Sequence, residues 1–189
     1  MGSIKRILDK YEAGMNDIVS KLEILNKDYE KTNNYILMEH IKYRLKSPTS
    51  IKHKLINDGY KYDAKNFDKI NDIAGVRVVV AFEKDIYLVR QLIMQIPNLV
   101  IVKEKDFINN PKDSGYESFH MIVKIPVALS NGVEFITVEI QIRTLIMDVW
   151  ASLHHKLVYK RENTQLEDIF VDYSNKLMKF DDELNKLKS

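Results

Sequence analysis

The segment Ala74 to Phe82, with the sequence AGVRVVVAF, constrains the fold of this chain more than any other. It is almost wholly apolar and rich in β-branched residues, which is typical of a central strand that is buried on both faces. Its one charged residue, Arg77, needs a reason to lie in such a strand. It is either a structural counter-ion or a contact to a phosphate or a base.

The rest of the chain predicts helices and further strands around this segment. Apolar residues at helical spacing predict helices over residues 4–43, 48–58, 84–95, 144–160 and 164–189. Asn33-Asn34 is a candidate interruption of the first helix, and Pro48 and Gly59 bound the second. Apolar and β-branched runs predict strands over residues 98–107, 118–127 and 133–142. Asn131-Gly132, between the last two runs, is a strong hairpin signal.

This order of elements predicts an α/β (α+β) fold. We expect a single domain over residues 1–189, built on a mixed sheet of about five strands. Terminal helices, over residues 4–43 and 161–189, would flank a central region over residues 44–160.

Composition excludes several classes of protein. The formal net charge is +2, so any anion site must come from local clustering of Lys and Arg. The absence of cysteine excludes disulfides, thiolate catalysis and cysteine-based zinc sites, and it agrees with a reducing compartment. No apolar run is long enough to span a bilayer and no signal peptide is evident, so we expect a cytoplasmic location and no membrane partner.

The segment YRLKSPTSIKHK, residues 43–54, could bind phosphates. The sequence has no P-loop or Rossmann glycine motif, so side chains would have to hold any phosphate. Arg44, Lys46, Ser50 and Lys54 lie around a predicted helix start, where the helix terminus itself favours an anion. A solvated basic face explains the same residues, because lysine runs are common on protein surfaces.

Two carboxylates occupy unusual positions. Asp72 comes just before the central strand, and Glu139 lies inside the apolar strand TVEIQIR, where it shares a face with Gln141 and Arg143. Two carboxylates brought together on a sheet could bind Mg²⁺, which prefers oxygen ligands. A salt bridge from Glu139 to Arg143 or Arg77 is the alternative.

The segment KDSGYESFH, residues 112–120, adds three polar side chains. Tyr116, Ser118 and His120 alternate where the chain becomes extended, so they line one face. A tyrosine ring can stack on a purine while neighbouring groups contact the edge of the base. A hydrogen-bonded tyrosine at the rim of the protein is the alternative for Tyr116.

Five segments in this order resemble the synthetase domain of the RelA/SpoT family, and most closely its small, single-domain alarmone synthetases. They cover about residues 41–160 and are YRLKSPTSIKHK, NDIAGVRVVV, KDSGYESFH, VEIQIRT and DVWASLHHKLVYK. The resemblance implies a nucleotidyltransferase-like fold with its catalytic core over residues 44–160. It also implies one reaction, in which the β,γ-pyrophosphate of ATP moves to the 3′-hydroxyl of GDP or GTP, giving (p)ppGpp and AMP. GMP is a further candidate acceptor.

The resemblance implies roles for individual residues. Asp72 would bind Mg²⁺, and Glu139 would assist it or act as the base that takes the proton of the 3′-hydroxyl. The residues implied to hold ATP are Arg44, Lys46, Ser50, Lys54 and Arg77. Tyr116 would stack on guanine, and the other residues implied for the acceptor are Lys112, Ser118, His120, Gln141 and Arg143. Relatives of this size also imply a homotetramer formed through the terminal helices.

Two positions depart from the family pattern. His154 stands where relatives often have Glu, a change that would weaken the positioning of the acceptor or metal unless the residue acts at a distance. Lys105 stands where Arg is frequent, and Lys keeps the charge but loses the planar fork that stacks and binds bidentately.

Two other functions are compatible with these residues. A toxin-type relative would pyrophosphorylate the tRNA 3′ end or make adenosine alarmones, but the near-neutral net charge argues against an RNA backbone as partner. A non-catalytic nucleotide- or RNA-binding module would have no need of both Asp72 and Glu139. We therefore expect ATP and guanine nucleotides as partners.

Overall fold

A computed structural model describes residues 2–157 and 166–187 of the chain. Its α-helices are α1 (Gly2–Asn33), α2 (Pro48–Asn57), α3 (Glu83–Met94), α4 (Leu145–Leu157) and α5 (Glu167–Leu187). Its strands are β1 (His40–Leu45), β2 (Ala74–Val80), β3 (Val100–Asp106), β4 (Phe119–Leu129) and β5 (Gly132–Thr144). A 3₁₀ helix, Ala64–Lys69, lies between α2 and β2.

The five strands form one mixed sheet in the order β1-β2-β5-β4-β3. β2 and β5 are parallel, and the other three pairs of neighbours are antiparallel. β4 and β5 form the predicted hairpin, in which Ser130 and Asn131 make the turn and Gly132 begins β5 with φ +129°. The sheet and its flanking helices confirm the predicted fold class.

The hydrophobic core lies on one face of this sheet. Alternate residues of β5, among them Val138, Ile140 and Ile142, are fully buried there, as the alternation along that strand predicts. Ile18 and Leu22 of α1 belong to the same buried cluster. The opposite face of β2 is less covered than predicted, because Gly75 and Arg77 are only half-buried and line a cavity.

The prediction of a helix over residues 4–43 is wrong at its end. α1 ends at Asn33, and Asn34 follows it with φ +50°, a conformation that stops a helix. Residues 40–45 then pair antiparallel with β2 as an edge strand. The local sequence of β1 is charged and half exposed, so its extended form depends on hydrogen bonding to the buried strand beside it.

The other predicted elements are present, with described ends that differ by no more than three residues. The helix predicted over residues 144–160 is confirmed as far as Leu157, and the C-terminal helix is confirmed from Glu167 to Leu187. Residues 158–165 lie outside the described residues. None of the helices described is long and apolar enough to cross a lipid bilayer.

Candidate active site

The predicted site residues are brought together by the register of the sheet. On the face opposite the core, two neighbouring rows run across all five strands, from β1 to β3. The first row is Arg44, Gly75, Glu139, Ile122 and Lys103, and the second is Lys42, Arg77, Gln141, His120 and Lys105. Since neighbouring strands lie about 4.8 Å apart, each row spans about 19 Å. Basic residues thus stand at both ends of the rows, with Glu139 and Gln141 between them.

Asp72 lies immediately before β2 and is held by two lysines. Its two carboxylate oxygens accept hydrogen bonds from Lys46 Nζ at 2.6 Å and Lys54 Nζ at 2.7 Å. Burial alone would raise the pKa of Asp72, but the hydrogen bonds and charges of these lysines outweigh it and lower the pKa below its usual value. The carboxylate is therefore ionised and already has cationic partners.

The beginning of α2 opens onto a cavity of about 720 Å³. Ser47 is the N-cap residue, and its hydroxyl accepts a hydrogen bond from the backbone N–H of Ser50 at 3.2 Å. The two hydroxyls also lie 2.9 Å apart. The cavity is lined by the predicted basic residues and by both serines: Arg44, Lys46, Ser47, Ser50, Lys54 and Asp72 are among its walls. Cations and a helix N-terminus facing one space favour an anion.

Glu139 contacts His120 and Gln141, and not the arginines of the alternative salt bridge. Its Oε1 lies 3.3 Å from His120 Nδ1, and its Oε2 accepts a hydrogen bond from Gln141 Nε2 at 2.9 Å. Burial raises the pKa of Glu139, but the hydrogen bond and charge of His120 outweigh this and lower it. Glu139 and Asp72 line the same cavity of about 220 Å³, together with Arg44, Arg77 and Gln141.

A hydrogen-bond network connects Tyr116 to this carboxylate. The Tyr116 hydroxyl lies 2.8 Å from His120 Nε2 and accepts a hydrogen bond from Arg143 Nη2 at 2.6 Å. Arg143 Nη2 also donates to Gln141 Oε1 at 2.9 Å. Ser118 is fully buried, and its hydroxyl lies 3.4 Å from Arg143 Nε. The structure thus brings Tyr116 and Ser118, which precede β4, into one network with the predicted acceptor residues of β4 and β5. Ser118 acts through Arg143.

Two cations lie near the Tyr116 ring. Lys112 Nζ is 4.9 Å from the ring centroid and the Arg143 guanidinium carbon is 5.1 Å from it. Trp150 is buried, and its ring lies 6.2 Å from that of Tyr116. The ring is therefore fixed by the core on one hand and by cation–π contacts on the other.

The two departures from the family pattern lie beside this network. The His154 ring stacks on Trp150, with centroids 4.7 Å apart and planes inclined by 20°. Lys105 lines a cavity of about 270 Å³ with Lys103, Lys69, His120 and Glu139. His154 therefore packs on the tryptophan that lies near Tyr116, whereas the cavity of Lys105 also reaches Asp72 and Lys54.

Sequence reasoning missed Asp148. This α4 residue is 8% exposed, and it accepts hydrogen bonds from Arg77 Nη1 at 2.9 Å and Arg143 Nη1 at 3.4 Å. The signal that could have identified it is a carboxylate within the apolar run LIMDVW. The same reasoning singled out Glu139 in its strand.

The two carboxylates suit a hard divalent cation. Asp72 and Glu139 line one cavity, and Mg²⁺ characteristically takes one or two protein carboxylates and completes its shell with water and phosphate oxygens. Among residues 2–157 and 166–187 no group of three or more His, Asp or Glu could hold a metal by itself. The donor set therefore fits a cation that binds together with phosphates.

Comparison with known proteins agrees with this geometry. Residues 43–164 match the family described as "Region found in RelA / SpoT proteins". The chain is 43% identical over 154 residues to GTP pyrophosphokinase YwaC of Bacillus subtilis (strain 168), covering 81% of this chain and 73% of that protein.

Solved structures show the same relationship. The crystal structure of the small alarmone synthetase 1 from Bacillus subtilis, bound to its product pppGpp, has a TM-score of 0.92 at 27% identity and covers 100% of this chain and 97% of that one. The small alarmone synthetase 2 from the same organism has a TM-score of 0.88 at 38% identity, covering 97% of each chain. The chain therefore belongs to the RelA/SpoT family, as its five sequence segments predicted.

Proposed function

We propose that this chain is a (p)ppGpp synthetase. It transfers the β,γ-pyrophosphate of ATP to the 3′-hydroxyl of GDP or GTP, and GMP is a third candidate acceptor. The observation that carries the proposal is the position of Glu139, which lies between a basic half-site at β1, α2 and Asp72 and an aromatic half-site at Tyr116. The similarity to GTP pyrophosphokinase YwaC and to a pppGpp-bound synthetase supports the same reaction.

ATP binds in the basic half-site. Arg44, Lys46 and Lys54 face the cavity at the start of α2, where Ser50 and the helix N-terminus add hydrogen-bond donors for phosphate oxygens. Arg77 stands in the next row of the sheet, within reach of the cavity that contains both carboxylates. These residues would hold the phosphates with side chains, which agrees with the absence of a glycine-rich phosphate loop.

The acceptor nucleotide binds in the aromatic half-site. Guanine stacks on the Tyr116 ring, where Lys112 lies in this structure, and base stacking on an aromatic ring contributes about 1–3 kcal/mol. His120, Gln141 and Arg143 present polar groups beside the ring. Ser118 supports this set through Arg143.

Glu139 is the base or the orienting group for the attacking hydroxyl. The 3′-oxygen attacks the β-phosphorus of ATP, the bond from that phosphorus to the α,β-bridging oxygen breaks, and AMP leaves. The proton of the 3′-hydroxyl passes to Glu139. Its lowered pKa keeps the carboxylate ionised, as a proton acceptor must be, but also lowers its strength as a base. Such transfer depends on positioning and charge neutralisation more than on covalent catalysis.

Asp72 and Glu139 would hold Mg²⁺ together with the phosphates of ATP. When bound, the cation supplies positive charge that stabilises the transferring phosphates. Asp72 would then exchange a hydrogen bond from Lys46 or Lys54 for the cation, and the displaced lysine would donate to the phosphates. We also propose a cytoplasmic location and assembly as a homotetramer. Exposed apolar side chains on α4 and α5 support an interface between copies of the chain: Leu145, Val149, Leu153, Ile169, Tyr173 and Phe180.

A product assay tests the proposal. The chain is incubated with γ-labelled ATP and Mg²⁺ in parallel with GMP, GDP, GTP, no acceptor or deacylated tRNA. Label in a guanosine 3′-pyrophosphate, lost with EDTA, is the expected result. Label in tRNA or in an adenosine product alone would assign the toxin-type activity, and nucleotide binding without transfer would assign a binding module.

Isosteric variants test whether the activity depends on the carboxylates of Asp72 and Glu139. Asp72→Asn and Glu139→Gln should each abolish transfer while the far-ultraviolet circular dichroism stays that of the wild type. Glu104→Gln, which changes a carboxylate that pairs with Arg90 outside the site, is the matched control. Full activity in either site variant would contradict the assignment of these residues.

A further inference from the structure

We infer that Asp148 is a positioning residue that couples the two nucleotide half-sites, because one of its carboxylate oxygens holds both the donor-side Arg77 and the acceptor-side Arg143. The inference rests on the proposed function, since it needs two nucleotides bound at once. It adds a residue that lies outside the catalytic groups and governs how binding of one nucleotide affects the other.

The geometry places Asp148 between two arginines. Its Oδ1 accepts hydrogen bonds from Arg77 Nη1 at 2.9 Å and from Arg143 Nη1 at 3.4 Å, and its Oδ2 lies 3.4 Å from Lys42 Nζ. Asp148 lies in the first turn of α4, where the helix dipole favours a negative charge. Three cations from three strands thus meet one buried carboxylate.

Arg77 depends on this contact for its orientation. Its Nε is buried and has no hydrogen-bond partner among the residues that the structure describes. Burial and the charge of Arg143 both lower the pKa of Arg77, and the charge of Asp148 opposes them. Without the carboxylate, the like charges of Arg77 and Arg143 would remain close together, and Arg77 would lose the hydrogen bond made by its Nη1.

Arg143 connects Asp148 to the acceptor half-site. It is 4% exposed, and its Nη2 donates to the Tyr116 hydroxyl at 2.6 Å and to Gln141 Oε1 at 2.9 Å. A shift of Arg143 therefore moves the hydrogen bonds that orient the Tyr116 ring. Asp148 lines none of the three described cavities around Asp72 and Glu139, so it acts through the arginines.

Binding measurements separate this role from a merely structural one. The dissociation constant of GDP is measured by calorimetry with and without a non-hydrolysable ATP analogue and Mg²⁺, for the wild type and for Asp148→Asn. We expect the analogue to tighten GDP binding in the wild type and to have a several-fold smaller effect in the variant. Asp148→Asn should also lower kcat/KM by about tenfold or more, as loss of a hydrogen-bonded buried charge implies.

Two further variants test whether the coupling depends specifically on the contact between Asp148 and Arg77. Arg77→Gln should remove the coupling by itself, and adding Asp148→Asn to it should change the coupling no further. Asp85→Asn removes a carboxylate that is buried to a similar degree and hydrogen-bonded to Tyr35, away from the site, and should leave the coupling unchanged. If Asp148→Asn does not fold, Asp148→Glu keeps the charge but displaces its oxygens, and it should still weaken the coupling.

The outcomes are distinguishable. If the wild type makes no pyrophosphorylated product, the proposed function fails. If the wild type is active but its two nucleotides bind independently, or if the Asp148 variant keeps the full coupling, the inference is wrong while the function stands. An equal loss of coupling in Asp85→Asn would also overturn it, because any buried carboxylate would then have the same effect.

Discussion

Replacing Glu117 with Gln should stabilise the protein above neutral pH and leave it unchanged in acid. Glu117 lies between Tyr116 and β4, in a partly buried position that faces other carboxylates. Burial, followed by the charges of Glu83, Asp182 and Asp181, raises its pKa from 4.5 to about 7. The carboxylates on α3 and α5 therefore oppose its ionisation in the folded state.

The direction of the stability change follows from the pKa of Glu117 in the unfolded state, 4.5, and in the folded state, about 7. Below about 4.5 Glu117 is protonated in both the folded and the unfolded state, so the substitution has no effect there. Between 4.5 and about 7 the unfolded state loses the proton while the folded state retains it, and the free energy of unfolding falls as the pH rises. Above about 7 the loss is complete, and Gln at this position avoids it.

The size of the stabilisation by Glu117→Gln follows from the same two pKa values. The difference between 4.5 and about 7 corresponds to about 3 kcal/mol. Because solvent screens a partly exposed group, we expect about half of this, roughly 1–2 kcal/mol. For a chain of this size that raises Tm by about 3–6 °C.

Thermal unfolding followed by circular dichroism from pH 5 to 8.5 measures the effect. The difference in Tm between Glu117→Gln and the wild type should grow up to about pH 7 and then stay constant. Glu12→Gln, an exposed position on α1, is the control and should show no such trend. A Tm difference that is constant with pH, or a variant less stable than the wild type at pH 8, would refute the reasoning.

Two further predictions concern the loop that carries Tyr116. Tyr116→Ala should weaken acceptor binding by about tenfold or more and ATP binding far less. Tyr116→Phe, the control, keeps the ring and should keep most of the affinity. Equal losses of affinity for both nucleotides in a binding titration would count against stacking. Gly115→Ala should lower the free energy of unfolding by about 2–3 kcal/mol, because Gly115 has φ +75° and an added Cβ would lie 2.5 Å from Ser174 Cβ and Oγ. Gly59→Ala, at φ +80° with open space around it, gives the backbone contribution alone in the same denaturant titration.

The sequence predicted those parts of the fold that a single segment determines. β2 is apolar along its length, and β5 alternates between core and site residues, so both could be recognised without knowledge of their neighbours. β1 could not, because Lys42 and Arg44 suit a surface helix equally well. Its state is set by pairing with β2, which no pattern within β1 reveals.

The candidate site was predictable where a residue conflicts with its surroundings in the sequence. Glu139 was found because a carboxylate in an apolar strand needs a partner. The structure pairs it with His120 and Gln141, and not with the arginines of the alternative salt bridge. Asp148 escaped notice because one of its two arginines, Arg77, lies 71 residues away in the chain, although Arg143 is only 5 residues away. Charge pairing of this kind depends on topology.

The position of β1 at the edge of the sheet affects what fraction of the molecules can bind ATP at any moment. β1 is hydrogen-bonded to a sheet neighbour on one side only, whereas β2, β5 and β4 each have two neighbours. Edge strands open with a smaller free energy than the global unfolding of a domain. A molecule with β1 detached would keep its acceptor half-site and most of its core. It would lose the contact that we propose between Arg44 and ATP. If Arg44 binds ATP as we propose, the capacity to bind ATP depends on this local opening equilibrium, which a measurement of global stability does not detect.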